Sequence, residues 1–452
     1  MRTNRFPLHA RLGATLRAPL SALGCATLAA LTLASASAGA QAQAKEIKVG
    51  VIFDLTGPLA AAGSHATYLG AKYAIDMINE RGGIDGVKIK PFYVDAQSKV
   101  DVAINEAERL INQEKVDLIT GIFTSSQCVP LAQKLDAAKK FFWATACSST
   151  AAFKDRNLTY AFRGQIHSDQ YGEASCGFLN HFAKERLKKE PKDLRVAIIH
   201  EDGPYGVGVA LGNEVNCGKK YGMQIVLKEG YAATAADLSP MVTKLKRARA
   251  DVIFHTGYNP DITMFLRQAK EQNLKWSALI GHGSGYGQWD KLYATFGNDA
   301  NYIYNVDAVA AQLISPASLK PGLPEVTQEM MKRYKAETKV ADVPSHASMG
   351  MNQTWVLLTD VVPRAIKKYG GYDSEALRKA ALDTDIPTGG TIQGYGVKFL
   401  PPGNPLAGQN ERSFPVVMQY VDNKTELIWP LAIKTADPVL PLPKANTYSS
   451  AR

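Results

Sequence analysis

From Glu46 onward the chain repeats one unit: a short run rich in β-branched and aromatic residues, followed by an amphipathic stretch of helical period. Residues 47–53 lead to a helix ending at Glu80, 87–94 to a helix ending at Gln113, and 116–122 to a helix over 127–140 and a further strand at 141–145. A strand that reaches its successor through a helix pairs with it in parallel, so this alternation predicts an α/β fold on a parallel sheet. The helical faces agree. Ala71, Ala74, Ile75 and Ile78 share one side of the first helix, which Gly82-Gly83 ends, and Ala103, Ala107, Leu110 and Ile111 share one side of the second.

The rhythm restarts after a helix containing 171–187. Residues 195–200, 224–227 and 251–256 read as strands separated by helices, which predicts a second α/β unit of similar size. Helices are expected at 325–337, 349–369 and 374–382. A β-hairpin should follow, joining 414–421 to 426–429 through Asp422-Asn423-Lys424, before an irregular tail from Pro438.

The first 44 residues hold no acidic side chain, carry Arg2, Arg5, Arg11 and Arg17, and include an apolar stretch over 20–33. This is the pattern of a secretory signal peptide, with cleavage expected after Ala42-Gln43-Ala44 and Cys25 removed with it. No later window is long and apolar enough for a membrane helix, so export to the periplasm is expected. Removing four arginines from the formal charge of +10 leaves +6, with basic residues mixed among acids as in Lys184-Glu185-Arg186. Such a surface argues against nucleic-acid binding. Four cysteines then remain, and three pairings are possible. Cys128 begins a helix and Cys147 follows the next strand, while Cys176 and Cys217 lie on successive helices, which favours those two bridges over free thiols.

Ligands of open parallel sheets bind beyond the carboxyl ends of strands, so the loops there carry the chemistry. Thr124-Ser125-Ser126 and Ala146-Cys147-Ser148-Ser149-Thr150 each set hydroxyls beside the free amides of a helix start, where the helix dipole favours an anion. Singly, each cluster reads as a helix cap. Two of them on adjacent strand ends point to a carboxylate site. No hydrolase, metalloprotease or phosphate-loop motif occurs, and the seven histidines after residue 44 lack metal-ligand spacing, so no catalysis, cofactor or metal is expected.

Ile47-Lys48-Val49-Gly50, Thr56-Gly57-Pro58, Ile78-Asn79-Glu80-Arg81-Gly82-Gly83-Ile84, Asp202-Gly203-Pro204-Tyr205-Gly206, Gly257-Tyr258 and Phe414-Pro415-Val416-Val417-Met418-Gln419 occur in that order. The series resembles the leucine/isoleucine/valine-binding branch of the periplasmic binding proteins, which serve ABC importers. The resemblance implies the type I periplasmic-binding-protein fold, two Rossmann-like lobes joined by three crossings. Lobe 1 would comprise 45–165 and 305–392, and lobe 2 would comprise 166–304 and 393–452. It further implies that Ser126, Ala146 and Ser148, with Ser125 and Cys147 beside them, grip a ligand carboxylate while Tyr205 and Tyr258 close over it from the opposite lobe.

One departure bears on the ligand. Amino-acid binders of this family place a glutamate after a later lobe 2 strand to pair with the ligand ammonium, and here the stretch runs Gly281-His282-Gly283-Ser284-Gly285-Tyr286-Gly287. A buried ammonium without a counter-ion is costly. The expectation is therefore an aromatic or short aliphatic carboxylate, with His282 or Tyr286 bonding a distal polar group. The partners implied are that ligand and the ABC permease, with the chain a monomer. A branched-chain amino acid or amide binder, or a periplasmic sensor using the same clamshell, is the alternative.

Overall fold

A computed structural model describes residues 46–451 save 284, 341 and 423; the expected signal peptide lies outside the described residues. Five parallel strands form the first sheet: β1 (Ile47–Phe53), β2 (Ile89–Asp95), β3 (Leu118–Gly121), β4 (Phe142–Ala144) and β5 (Ala161–Arg163), in the order β2-β1-β3-β4-β5. Helices cover both faces, which is why β1, β3 and β4 are almost continuously apolar and buried.

Five more strands follow, β6 (Arg195–Glu201), β7 (Gln224–Tyr231), β8 (Val252–Thr256), β9 (Ala278–His282) and β10 (Tyr304–Asp307). A two-residue pair, β11 (Asp385–Ile386) with β12 (Val397–Lys398), precedes the hairpin of β13 (Val416–Val421) and β14 (Lys424–Trp429). The second sheet runs β14-β13-β10-β9-β8-β6-β7, antiparallel only at the hairpin edge. The chain thus passes between the sheets three times: after β5, after β10, and between β12 and β13.

Backbone pairing moves two expected boundaries. Residues 305–307 complete β10 in the second sheet, where 305 was expected to open the return to lobe 1. Residues 408–410, expected in lobe 2, pair instead with Arg163 at the edge of the first sheet, through Arg163 N–H to Gly408 O and Asn410 N–H to Arg163 O at 2.9 Å each. Strands as short as β5, β11 and β12 leave no period for a sequence pattern to report, and the register of their partners decides them.

The returning helix Ser345–Val356 docks on the helix His65–Glu80 with backbone touching backbone. A Cβ on Gly70 would sit 2.0 Å from Ala347 O, and one on Gly350 would sit 1.9 Å from Thr67 O. Glycine is required on both sides of this crossing. Disulfides join Cys128 to Cys147 and Cys176 to Cys217, the pairing expected. The tail past Ile433 has no strand or helix among the described residues, yet it is tied down: Tyr448 stacks on Trp276 at 4.6 Å, and Trp276 exchanges backbone hydrogen bonds with Tyr448 and Ser450. No described helix is long and apolar enough to cross a membrane.

Candidate ligand site

Where β3 and β4 end, the chain turns outward on the hydroxyl-rich loops. Thr124 caps the helix Ser125–Ala137 by accepting from Gln127 N–H, and Ser149 caps the short turn after it by accepting from Ala151 N–H. Ser125 ties the loops together, its Oγ accepting from Ser149 N–H at 3.0 Å. The Cys128–Cys147 bridge spans the same two segments, so their spacing is held covalently as well.

Behind the second loop lies Arg163, fully buried at the end of β5. Its Nη1 donates to the carbonyls of Cys147 at 3.2 Å and Ser149 at 2.7 Å, and its Nε donates to Gln409 Oε1 at 2.6 Å. Gln165 also donates to the Cys147 carbonyl, and Ser168 to that of Ser148. Three successive carbonyls are therefore held on the protein side, and the amides of Ser149 and Thr150 are held too, by Ser125 Oγ and Ser168 Oγ, so the loop is rigid. Arg163 forms no salt bridge among the described residues, and burial pushes its guanidinium down to about 9, still charged at neutral pH. A buried cation behind the loop, offset only in part by the nearby Asp169, raises the potential in front of it.

The partly open space in front of the loops is lined by Phe123, Ser125, Ala146, Ser148, Tyr171, Tyr205, Tyr258, His346 and Met349. Five of the expected residues therefore meet: Ser125, Ala146, Ser148, Tyr205 and Tyr258. Tyr205, in the first turn of the helix Pro204–Asn213 after β6, and Tyr258, just before the helix after β8, reach in with their rings 5.7 Å apart. Burial holds the hydroxyls of Tyr171, Tyr205 and Tyr258 well above the usual phenol range, so they remain protonated donors. No lining residue is acidic.

The other expected residues lie elsewhere. Ser126 is exposed at the rim, where a Cβ on Gly203 would come within 3.3 Å of its Oγ. Successive helix residues point about 100° apart, so Ser125 and Ser126 cannot share one direction. The Ala146 amide, expected to grip the ligand, already donates to Ile122 O at 3.2 Å as the ladder's continuation. Cys147 is spent on its bridge and on holding Arg163. His282 is fully buried in the core, its ring nitrogens bonded to Ser175, Thr256 and Asn213. Tyr286 packs over Gly281, where a Cβ would meet its ring at 2.1 Å, and bonds His255 Nδ1 through its hydroxyl at 2.6 Å. The glycine-rich stretch is thus packing, and it touches the site through the His282 carbonyl, which accepts from the Tyr205 hydroxyl at 2.8 Å.

Four lining residues escaped the sequence reading. Phe123 adjoins a cluster already singled out, and Tyr171 lies on a helix already recognised. His346 and Met349 carry no local signal, because they come from the helix returning after the second passage between the sheets.

The sequence pattern of a family described as periplasmic binding protein matches residues 46–403. Leu/Ile/Val-binding protein homolog 7 of Brucella suis biovar 1 (strain 1330) is 32% identical over 415 residues, covering 92% of this chain and 99% of its own length. Homolog 8 of Brucella abortus (strain 2308) is 30% identical over 403 residues, covering 89% and 95%. Among solved structures, the branched-chain amino acid transporter substrate binding protein LivJ of Streptococcus pneumoniae, in complex with isoleucine, is similar at a TM-score of 0.68 and 20% identity, covering 85% of this chain and 100% of that one. A solute binding protein of an ABC transporter from Rhodopseudomonas palustris BisB5, in complex with 3,4-dihydroxy benzoic acid, is similar at 0.66 and 21%, covering 84% and 95%.

Proposed function

Because this chain belongs to the periplasmic binding protein family, as a solute-binding protein of the ABC-transporter type, we propose that its cargo is a small carboxylate, aromatic in preference to an α-amino acid. One observation carries this reading. The cavity joins two hydroxyl-bearing loops, backed by the unpaired Arg163 cation, to a lining of aromatic side chains that offers an ammonium group no carboxylate. The ligand first meets the loops after β3 and β4, and Tyr205 and Tyr258 then favour the closed arrangement, which an inner-membrane permease recognises. Lys291 Nζ donating to Ala61 O at 2.6 Å supports a closed form held partly by contacts across the cleft.

A thermal-shift screen of benzoates and short aliphatic acids against isoleucine and leucine tests the class. Saturation at 100 times Kd stabilises the folded chain by about 2.7 kcal/mol, an easily read rise in Tm. Carboxylates are expected to raise Tm, and a rise with isoleucine alone would instead favour the specificity that the Brucella relatives' names carry. Ser125→Ala combined with Ser148→Ala should abolish the ligand-induced rise and lower the unliganded Tm modestly, because Ser149 N–H loses its acceptor; a rise that persists would refute the role given to these hydroxyls.

Arg163 makes a second prediction. A unit charge about 8 Å from the bound anion, one peptide's thickness beyond the carbonyls it holds, contributes about 2 kcal/mol at an effective dielectric of 20. Calorimetric titration of Arg163→Met should show binding weakened by about thirtyfold. Unchanged affinity would remove the electrostatic part of the argument.

A further inference from the structure

His346 is the second residue of the helix Ser345–Val356, and its ring forms part of the cavity wall with 4% of its surface exposed. Its position is rigid: the ring meets Phe123 edge-on at 5.5 Å, and a Cβ on Gly63 would touch it at 3.3 Å. Yet its Nδ1 is buried without a hydrogen-bond partner. The Asp307 carboxyl faces it with Oδ2 4.0 Å away, too far to bond, and is itself engaged by the Tyr171 hydroxyl on Oδ1 at 3.0 Å and the Ser345 hydroxyl on Oδ2 at 2.6 Å. Burial lowers the ring's affinity for a second proton, with Asp307 pulling the other way. A neutral imidazole facing a carboxyl through Nδ1 keeps its proton there, which leaves the Nε2 lone pair as an acceptor.

Gly63 follows β1, Phe123 follows β3 and Ser148 follows β4, and these strands are successive neighbours. The hydroxyl loop after β4 and the contacts of His346 with Gly63 and Phe123 thus belong to different parts of the cavity wall. A ligand that reaches from the hydroxyl loops to His346 sets its aromatic ring between them. Phe123, Tyr171, Tyr205, Tyr258 and Met349 offer that ring flat apolar faces and a polarisable thioether.

We infer that His346 accepts a hydrogen bond from a ring hydroxyl of the bound aromatic acid, and so selects hydroxylated benzoates over benzoate itself. The inference rests on the carboxylate reading above. Titration calorimetry of the full chain with 3,4-dihydroxybenzoate and with benzoate tests it, using the native protein, His346→Phe and His346→Gln. The native protein should bind the dihydroxy compound at least about tenfold more tightly. His346→Phe should bring the two affinities within about twofold of each other. His346→Gln, whose side-chain oxygen also accepts, should keep most of the preference. Circular dichroism checks each fold, and His346→Leu replaces His346→Phe if the latter does not fold. Equal native affinities, or a preference that survives in the phenylalanine or leucine variant, would overturn the assignment of His346 while leaving the carboxylate reading standing. Binding of isoleucine with neither benzoate would overturn both.

Discussion

Gly350→Val should lower the free energy of unfolding by about 3 kcal/mol or more and abolish ligand binding with it. At this crossing the space for even a single Cβ is already filled, since Thr67 O would lie 1.9 Å from it and Ala71 N 3.1 Å. Backbone atoms inside a helix cannot swing aside as a side-chain tip can, so the helices must separate. That separation would carry His346 and Met349 away from the cavity and expose the buried seam around Leu69, Tyr73 and Met351. Urea denaturation followed by circular dichroism would show a lower midpoint at unchanged slope. A variant with the native midpoint and native affinity would mean that the close approach is not part of the folded state.

Acid should destabilise the protein steeply, beginning near pH 6.5. Burial pushes His167, His255 and His282 each down to about 3, with the neighbouring His282 adding to the effect on His255 and Arg163 to that on His167. A histidine depressed in the folded state stays neutral there, while the unfolded chain takes up a proton once the pH falls below about 6.5. Protonation therefore favours unfolding from about 6.5 down to about 3, each ring costing roughly 2 kcal/mol at pH 5. Asp261 works in the opposite sense. Burial raises its carboxyl to about 7 against the Tyr231 and Tyr258 hydrogen bonds that lower it, so its contribution to stability is full below about 4 and lost as the pH rises to 7. Over the interval from 7 to 5 it recovers roughly 2.5 kcal/mol, and the balance of these four groups is a loss of roughly 3 kcal/mol. Urea midpoints at pH 7, 6 and 5 measure this, and His282→Gln should make the decline shallower. A flat profile would show that these rings are not held neutral in the fold.

Residues 374–382 illustrate what local pattern can report: a helix was expected over those residues and forms with those ends, and the structure adds its cap, the Asp373 carboxyl accepting from Glu375 and Ala376. The strand 195–200 was likewise legible because a buried parallel strand must be apolar almost throughout. The short strands β5, β11 and β12 were not, since two or three residues carry no period. Within the site, the serine clusters were visible because helix-start chemistry is local. His282 and Tyr286 were misplaced because glycines that open a loop to a ligand look the same in sequence as glycines that let a tyrosine ring lie flat on the backbone.

The alternation of strand and helix, the apolar faces and the hydroxyls after β3 and β4 belong to the sequence by itself, since each depends on residues within one or two turns of each other. Tertiary structure alone decided that Ser125 and not Ser126 lines the cavity, that Arg163 holds the loop carbonyls from behind, and that His346 joins the cavity wall. Those facts depend on helix rotation and on contacts between residues up to 283 positions apart, as between Gly63 and His346. Such contacts are set by how the sheets and helices pack, and packing leaves no periodic mark on the chain.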